Sequence, residues 1–190
     1  MQISEHEHNW LLTDGAQMMQ LLGLSTGDSA VDFGCGIGRY TIPLSQAVGP
    51  AGTVTAIERN SDEIQTLKTR LTKYPTKAPI QCIHTDEIFP AVINHNSVDT
   101  ILAFDVLQYV NDWNGFFKSV HHILKANGTI HIYPAAVPHP NAVDLLKLHQ
   151  TLTDTGFHKH SDSQFTMMHN KHIVVDTVHT YRLSTPKKPN

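Results

Sequence analysis

The chain has 190 residues, 40% of them hydrophobic and 16% charged, with a net charge of −3 when histidine is neutral; this length suits one domain closed around a single core. No apolar run approaches the ~18 residues of a membrane span, and the N-terminus MQISEHEHNW lacks the basic stretch and apolar core of a secretion signal. The acidic balance argues against a broad phosphate-binding surface, so neither a nucleic-acid nor a membrane partner is expected.

Residues 5–23 carry Trp10, Leu11, Met18, Met19 and Leu22 at roughly helical spacing. Gly23 and the polar cluster at 25–28 end that segment. SAVDFGC, at 29–35, reads as a buried strand, and a glycine loop then opens a helix over about 38–48, stopped by GPAG. TVTAIE (53–58) is the next strand. Asn60 or Ser61 can cap a helix whose apolar positions are Ile64, Leu67 and Leu71. IQCIHTD (80–86) is a third strand and SVDTILAFD (97–105) a fourth, its apolar middle fitting a strand covered on both faces. A helix over 112–126 presents Phe116, Phe117, Val120, Ile123 and Leu124; ANG ends it, and TIHIYP (129–134) is a fifth strand. A helix near 141–155 follows, then two β-rich segments, about 163–168 and 171–183, that read as an antiparallel pair joined through HNK. The tail at 184–190 is expected to be disordered. The strand–helix alternation makes a parallel doubly wound α/β sheet the first choice, with ligands held at the C-terminal edge of its strands. No linker splits the chain, so residues 1–190 are read as one domain.

VDFGCGIGRYT, at 31–41, lies between a strand and a helix, where glycines permit close backbone approach and the helix N-terminus offers free N–H groups. The spacing is G-x-G-x-G: Gly34, Gly36, Gly38. The dinucleotide fingerprint G-x-G-x-x-G would need glycine at 39, which is Arg39. A P-loop is excluded because no Gly-Lys-Ser/Thr follows. Glu58 ends the second strand, and a carboxylate there can accept from both hydroxyls of a ribose.

These residues resemble the first motif of the class I S-adenosylmethionine-dependent methyltransferases, and the resemblance runs from about residue 25 to 133. HTDEIFP resembles that family's acidic end of the third strand, VDTILAFDVLQYV its fourth motif, and ILKANGTIHIY its entry to strand five, with Ala126 and Asn127 replacing the usual proline and first glycine. The resemblance implies a Rossmann-like, mostly parallel seven-stranded sheet with an antiparallel terminal strand and helices on both faces. It implies S-adenosylmethionine as cofactor. Gly34, Cys35 and Gly36, with Gly38 completing the loop, would lie against its methionine part, and Asp32 near its amino group. Glu58 would take the ribose. Arg59 would border the adenine, Asp86 would accept from the adenine amino group beside Glu87, and Phe104 and Asp105 would close the pocket.

The reaction implied is in-line methyl transfer to a small-molecule acceptor, for which alignment and water exclusion matter more than any one catalytic group. Tyr109 and His139, near the strand-end edge, are the candidate catalytic residues. Residues 1–23 are expected to form a lid, with His6, His8, Trp10 and Met18 or Met19 toward the pocket. A small molecule is favoured by elimination: FDVLQY has neither the Asn/Asp-Pro-Pro-aromatic motif of base N-methylation nor the Pro-Cys of cytosine C5 methylation. YPAAV offers no acidic partner to Asp105 for a catechol-type metal, and Cys82 alone does not make an arsenic site. The two cysteines suit a reducing cytoplasm. The 14 histidines lack metal-site spacing, so no metal is expected. Two alternatives stay open: a non-catalytic cofactor-binding or partner subunit on the same fold, and an NAD-dependent dehydrogenase.

Overall fold

The computed structural model describes residues 3–89, 91–134, 142–169 and 171–184. Seven strands form one sheet: β1 (Ser29–Phe33), β2 (Thr53–Glu58), β3 (Ile80–His84), β4 (Val98–Phe104), β5 (Leu124–Tyr133), β6 (Phe157–His169) and β7 (His172–Leu183), in the order β3-β2-β1-β4-β5-β7-β6. The first five pair in parallel and β7 runs antiparallel to both neighbours. The order reverses between β1 and β4, and such switch points hold ligands beyond the strand C-termini.

The N-terminal segment is helical from α1 (Glu5–Asn9) through a π-helical turn (Trp10–Asp14) to α2 (Gly15–Leu21). With α3 (Thr41–Val48) it covers one face of the sheet, burying Trp10, Leu11, Met18, Met19, Ile42 and Leu44 against Ala30, Val54, Leu102 and Phe104. Next to them α4 (Ser61–Leu71) sets Ile64 and Leu67 on Ala56, and the Asn60 side chain caps it by accepting from the N–H groups of Asp62 and Glu63 at 2.9 and 3.3 Å. The other face is covered by α5 (Trp113–Ile123) and α6 (Leu145–Asp154), whose Phe116, Phe117, Val120, Leu148 and Leu152 meet Val31, Ile101, Ala103, Ile130 and Ile132. Alternate β4 residues thus serve the two faces, which explains its unbroken apolar run.

Three boundaries differ from the sequence expectation. The glycine-loop helix begins at Thr41 rather than 38, because Gly34, Gly36 and Gly38 all take positive φ and keep the intervening backbone in turns. β5 starts at Leu124, inside the expected helix. Val98 faces Leu124 and Thr100 faces Thr129, so the surplus residues between bulge out, with Asn127 at φ +67°. β6 begins at Phe157, six residues before the expected start at 163. Its early residues HKHSDS are polar because the strand forms the sheet's edge, where exposed side chains suppress an apolar signal. His139 and the tail beyond Ser184 lie outside the described residues.

β7 pairs with β5 only from His179 to Arg182, whereas its pairing with β6 continues to His172 opposite His169. The β6–β7 hairpin therefore overshoots the C-terminal edge of β5 by roughly 20 Å at ~3.3 Å per residue. The Tyr40 hydroxyl ties it back to the glycine loop, donating to the Met168 carbonyl at 2.8 Å and accepting from the Met168 N–H at 3.2 Å. Among the described residues no helix is long and apolar enough to cross a membrane.

Candidate cofactor and active site

A cleft of about 890 Å³ opens at the C-terminal edge of β1, β2, β3, β4 and β5, within the range of small-molecule sites. Gly34, Cys35, Gly36, Glu58, Arg59, Asp86, Glu87, Phe104, Asp105 and Tyr109 all line it. Asp32 and Gly38 do not. The local backbone explains why. Asp32 sits within β1, 2% exposed, and its Oδ2 accepts from the Thr41 hydroxyl at 2.6 Å, so it fixes the start of α3 from below the loop. Gly38 is a packing glycine: a Cβ there would run into the Leu67 side chain of α4. Gly34 performs a similar service, since a Cβ would collide with Val106 at the end of β4. Gly36 is the glycine turned to open space, its nearest neighbour being the Glu63 carboxylate at 3.3 Å from a built Cβ.

Glu58 organises this end. Its Oε2 accepts from the Gly36 N–H at 2.9 Å and its Oε1 from the Asn60 N–H at 2.8 Å. The carboxylate is 8% exposed, and each oxygen keeps a second lone pair for a ligand. Asp86 and Glu87 stand exposed just beyond β3. Arg39, which occupies the place of a dinucleotide glycine, lines the cleft and is anchored from behind, its Nε donating to Glu7 Oε1 at 3.2 Å. The same oxygen accepts from Arg70 Nη2 at 2.7 Å, so a fully buried carboxylate of α1 braces the loop through two guanidiniums. The Arg59 guanidinium lies 5.7 Å from the Tyr109 ring centre.

The opposite end of the cleft contains residues the sequence did not single out: Tyr40, Tyr133, Met168 and His169. Tyr40, Phe104 and Tyr133 meet edge to face, with ring centres 4.9 and 6.0 Å apart, and Tyr133 meets His169 at 6.4 Å. His169 Nδ1 lies 3.3 Å from Asp105 Oδ2. Asp105 holds φ +52°, a sparsely populated conformation for a non-glycine residue and one that concentrates at functional sites. Its N–H donates to the Tyr133 carbonyl at 2.6 Å, and its Oδ1 accepts from the Gln108 amide at 2.6 Å.

The expected lid is corrected. Among the described residues none of 3–23 lines the cleft. His6 and His8 are exposed, while Trp10, Met18 and Met19 are packed in the core because the apolar stripe of this segment meets α3 and the sheet. Trp10 acts on the loop only from behind, donating its indole N–H to the Arg39 carbonyl at 2.7 Å. The outer wall is instead the β6–β7 hairpin. Tyr109 lines the cleft, with its ring turned to Arg59.

Electrostatics select the ligand class. Burial raises the Asp32 carboxyl to about 7, with the nearby Glu58 charge adding to the rise and the Thr41 hydrogen bond opposing it. Burial also pushes the Cys35 thiol far up, which removes it as a nucleophile at neutral pH. The cleft lining holds six carboxylates, of Glu58, Glu63, Asp86, Glu87, Asp105 and Asp112, against two guanidiniums, of Arg39 and Arg59. That balance suits a cationic ligand and opposes a pyrophosphate. S-adenosylmethionine, a sulfonium with an ammonium group, fits this donor set: a glycine cradle open at Gly36, a fixed carboxylate at Glu58 and acidic walls. Among the described residues no group of three or more His, Cys, Asp or Glu side chains could hold a metal ion.

Comparisons with known proteins agree with this geometry. A family model described as a methyltransferase domain matches residues 31–132, more than half of the chain. The demethylmenaquinone methyltransferase of Staphylococcus aureus strain JH9 is 30% identical over 114 residues, 60% of this chain and 46% of that protein. The chain thus spans about half the length of the curated relatives it matches. Among solved structures, a SAM-dependent methyltransferase from Aquifex aeolicus superposes with a TM-score of 0.72 at 18% identity, covering 93% of each chain. An S-adenosylmethionine-dependent methyltransferase from Mesorhizobium loti gives 0.65 at 13% identity, covering 87% of this chain and 95% of that one. The seven-stranded order, the glycine loop and the match across residues 31–132 lead to one assignment: the chain belongs to the methyltransferase-domain family and has the class I S-adenosylmethionine-dependent fold.

Proposed function

We propose that the chain transfers the methyl group of S-adenosylmethionine to a small-molecule acceptor. The observation that carries this reading is Glu58, fixed at the end of β2 by the N–H groups of Gly36 and Asn60 inside an acidic cleft. In this reading Glu58 accepts from the ribose hydroxyls. Arg59 borders the adenine and Asp86, beside Glu87, accepts from its amino group. Gly34, Cys35 and Gly36 lie against the methionine part, Asp32 supports its amino group from beneath, and Phe104 and Asp105 close the pocket.

The cofactor supplies a methyl group already activated on a sulfonium. What remains for the protein is orientation and dryness, and a well-oriented pair can gain several orders of magnitude over the bimolecular reaction. The aromatic row Tyr40, Phe104 and Tyr133, with Met168 on the hairpin, excludes water at the end opposite Glu58. The carboxylates of the cleft disfavour a polyanionic acceptor such as nucleic acid. The curated relative is named for methylating demethylmenaquinone, a small molecule, which supports the same acceptor class here. The test is formation of S-adenosylhomocysteine from S-adenosylmethionine over a panel of small acceptors. The expected result is turnover with at least one; binding without turnover across the panel would favour a non-catalytic cofactor-binding subunit.

A further inference from the structure

We propose that Arg39 receives the carboxylate of the cofactor's methionine part, and that Glu7 of α1 is the positioning residue that aims it. The inference rests on the methyltransferase reading above. Three observations carry it. First, the cofactor has one anionic group, and the cleft lining holds two cations, Arg39 and Arg59. Arg59 follows Glu58, read as the ribose acceptor, and its guanidinium stands 5.7 Å from the Tyr109 ring centre. Arg39 follows Gly34, Cys35 and Gly36, read as lying against the methionine part, so a carboxylate there meets Arg39 among otherwise acidic walls. Second, the guanidinium is held ready. Its Nε donates to Glu7 Oε1 at 3.2 Å, and among the described residues no other hydrogen bond engages it, which leaves both Nη groups for a ligand. Glu63 of α4 attracts it at longer range without forming an ion pair. Third, the cluster behind it carries spare positive charge. Glu7 is 1% exposed, and its Oε1 also accepts from Arg70 Nη2 at 2.7 Å, so one buried carboxylate faces two guanidiniums. Arg70 Nη1 is buried without a hydrogen-bond partner. A carboxylate arriving at Arg39 from the cleft supplies the negative charge this cluster lacks.

Glu7 is itself fixed. Its N–H donates at 3.1 Å to the hydroxyl of Ser4, the residue that caps α1. One turn further on, the Trp10 indole donates to the Arg39 carbonyl at 2.7 Å. The N-terminal segment thus grips Arg39 by side chain and main chain together, without entering the cleft. An arginine restrained at Nε has fewer rotamers to lose when its Nη groups bind a carboxylate. A planar fork held in this way also presents two parallel donors to the two carboxylate oxygens. Glu7 therefore contributes to affinity without touching the cofactor, and only for a ligand that carries the carboxylate. That dependence separates positioning from general support of the loop.

The experiment compares S-adenosylmethionine with its decarboxylated form, which keeps the sulfonium and the amine and lacks only the carboxylate. Calorimetry measures both with wild type, Arg39→Gln, Glu7→Gln and the double variant Glu7→Gln/Arg70→Met. The double variant removes one negative and one positive charge together, so it answers the question even if Glu7→Gln, which strands the buried Arg70, fails to fold. The expected wild type prefers S-adenosylmethionine by ~10–100-fold, the worth of a charge-assisted pair. Arg39→Gln should shrink that preference to within about threefold while holding affinity for the decarboxylated form. The Glu7 variants should lower the preference by about threefold or more, again with the decarboxylated form unaffected. A wild type that binds both forms alike would overturn the carboxylate assignment, as would an Arg39→Gln that keeps the full preference. Glu7 variants that weaken both forms equally, or neither, would overturn the positioning role, because a merely structural residue does not sense the carboxylate. A wild type that does not bind S-adenosylmethionine would overturn the functional reading on which the inference rests.

Discussion

At one end of the cleft, one carboxylate, Glu58, gathers the backbone amides of Gly36 and Asn60, and the neighbouring groups Asp86 and Glu87 come from the next strand end. At the other end, Tyr40 of the loop reaches Met168 across 128 residues of chain, and Asp105 meets a histidine from the tip of the β6–β7 hairpin. The first end is polar, acidic and assembled from segments close in sequence. The second is aromatic and assembled by the sheet order that inserts β7 between β5 and β6. The division suits the proposed reaction, in which the polar end would hold the cofactor by hydrogen bonds and the aromatic end would meet the acceptor. It also places that wall on the edge hairpin, whose Met167, Met168 and Val178 are buried in the same core as Trp10.

If the ends are independent, variants should separate them. The largest effect is expected at Glu58. Glu58→Ala removes the carboxylate that accepts from the Gly36 and Asn60 N–H groups and, in the proposed reading, from the ribose, and should weaken S-adenosylmethionine binding ~10²–10³-fold by calorimetry while leaving hydrogen exchange of the hairpin unchanged. Next is Gly34→Ala, which meets both a positive φ of +74° and the Val106 side chain. It should cost ~2–3 kcal/mol of stability in denaturant unfolding, because strain and overpacking add.

The loop end was legible because its information is local. Spacing among Gly34, Gly36, Gly38 and Glu58 survives in sequence as spacing, and Asn60 announces the cap of α4 by residue type. What spacing could not reveal was which glycines face a ligand. Gly38 belongs to the packing of Leu67, and Asp32 lies beneath the loop, because each role depends on the partner helix. The hairpin end carried no local signal. His169 is one histidine among 14, and its meeting with Asp105 follows from a strand order fixed only in three dimensions. The N-terminal segment was legible as an apolar helix, but a stripe of Trp10, Met18 and Met19 reads alike whether it faces a pocket or α3. Glu7, braced between Arg39 and Arg70, was hidden for the same reason: burial of a charge is visible only with its partners.

A smaller effect tests the loop end through pH. The Asp32 carboxyl is raised by burial from 3.8 to about 7. A raised carboxyl contributes stability that is fully present below the unfolded value and is lost as pH rises through the folded one. Stability should therefore fall between about pH 4 and 7 with a slope of at most ~1.4 kcal/mol per pH unit from this group. Asp32→Asn should flatten that slope. A bound cation favours the ionised form, so cofactor binding at pH 6.5 should release protons, read as a dependence of the calorimetric heat on buffer ionisation enthalpy. The smallest effect is expected at Tyr40→Phe. Losing the hydroxyl that both donates to and accepts from Met168 should cost ~1 kcal/mol and speed amide exchange around residues 165–169, with cofactor affinity unchanged. A matching fall in affinity would show that the two ends are coupled through the loop.

The most direct measurement is calorimetry of the wild-type chain and Glu58→Ala with S-adenosylmethionine and, separately, with NAD. The expected result is one S-adenosylmethionine bound per chain, an affinity that collapses in Glu58→Ala, and no heat from NAD. Binding of NAD without binding of S-adenosylmethionine would contradict the assignment of the cleft.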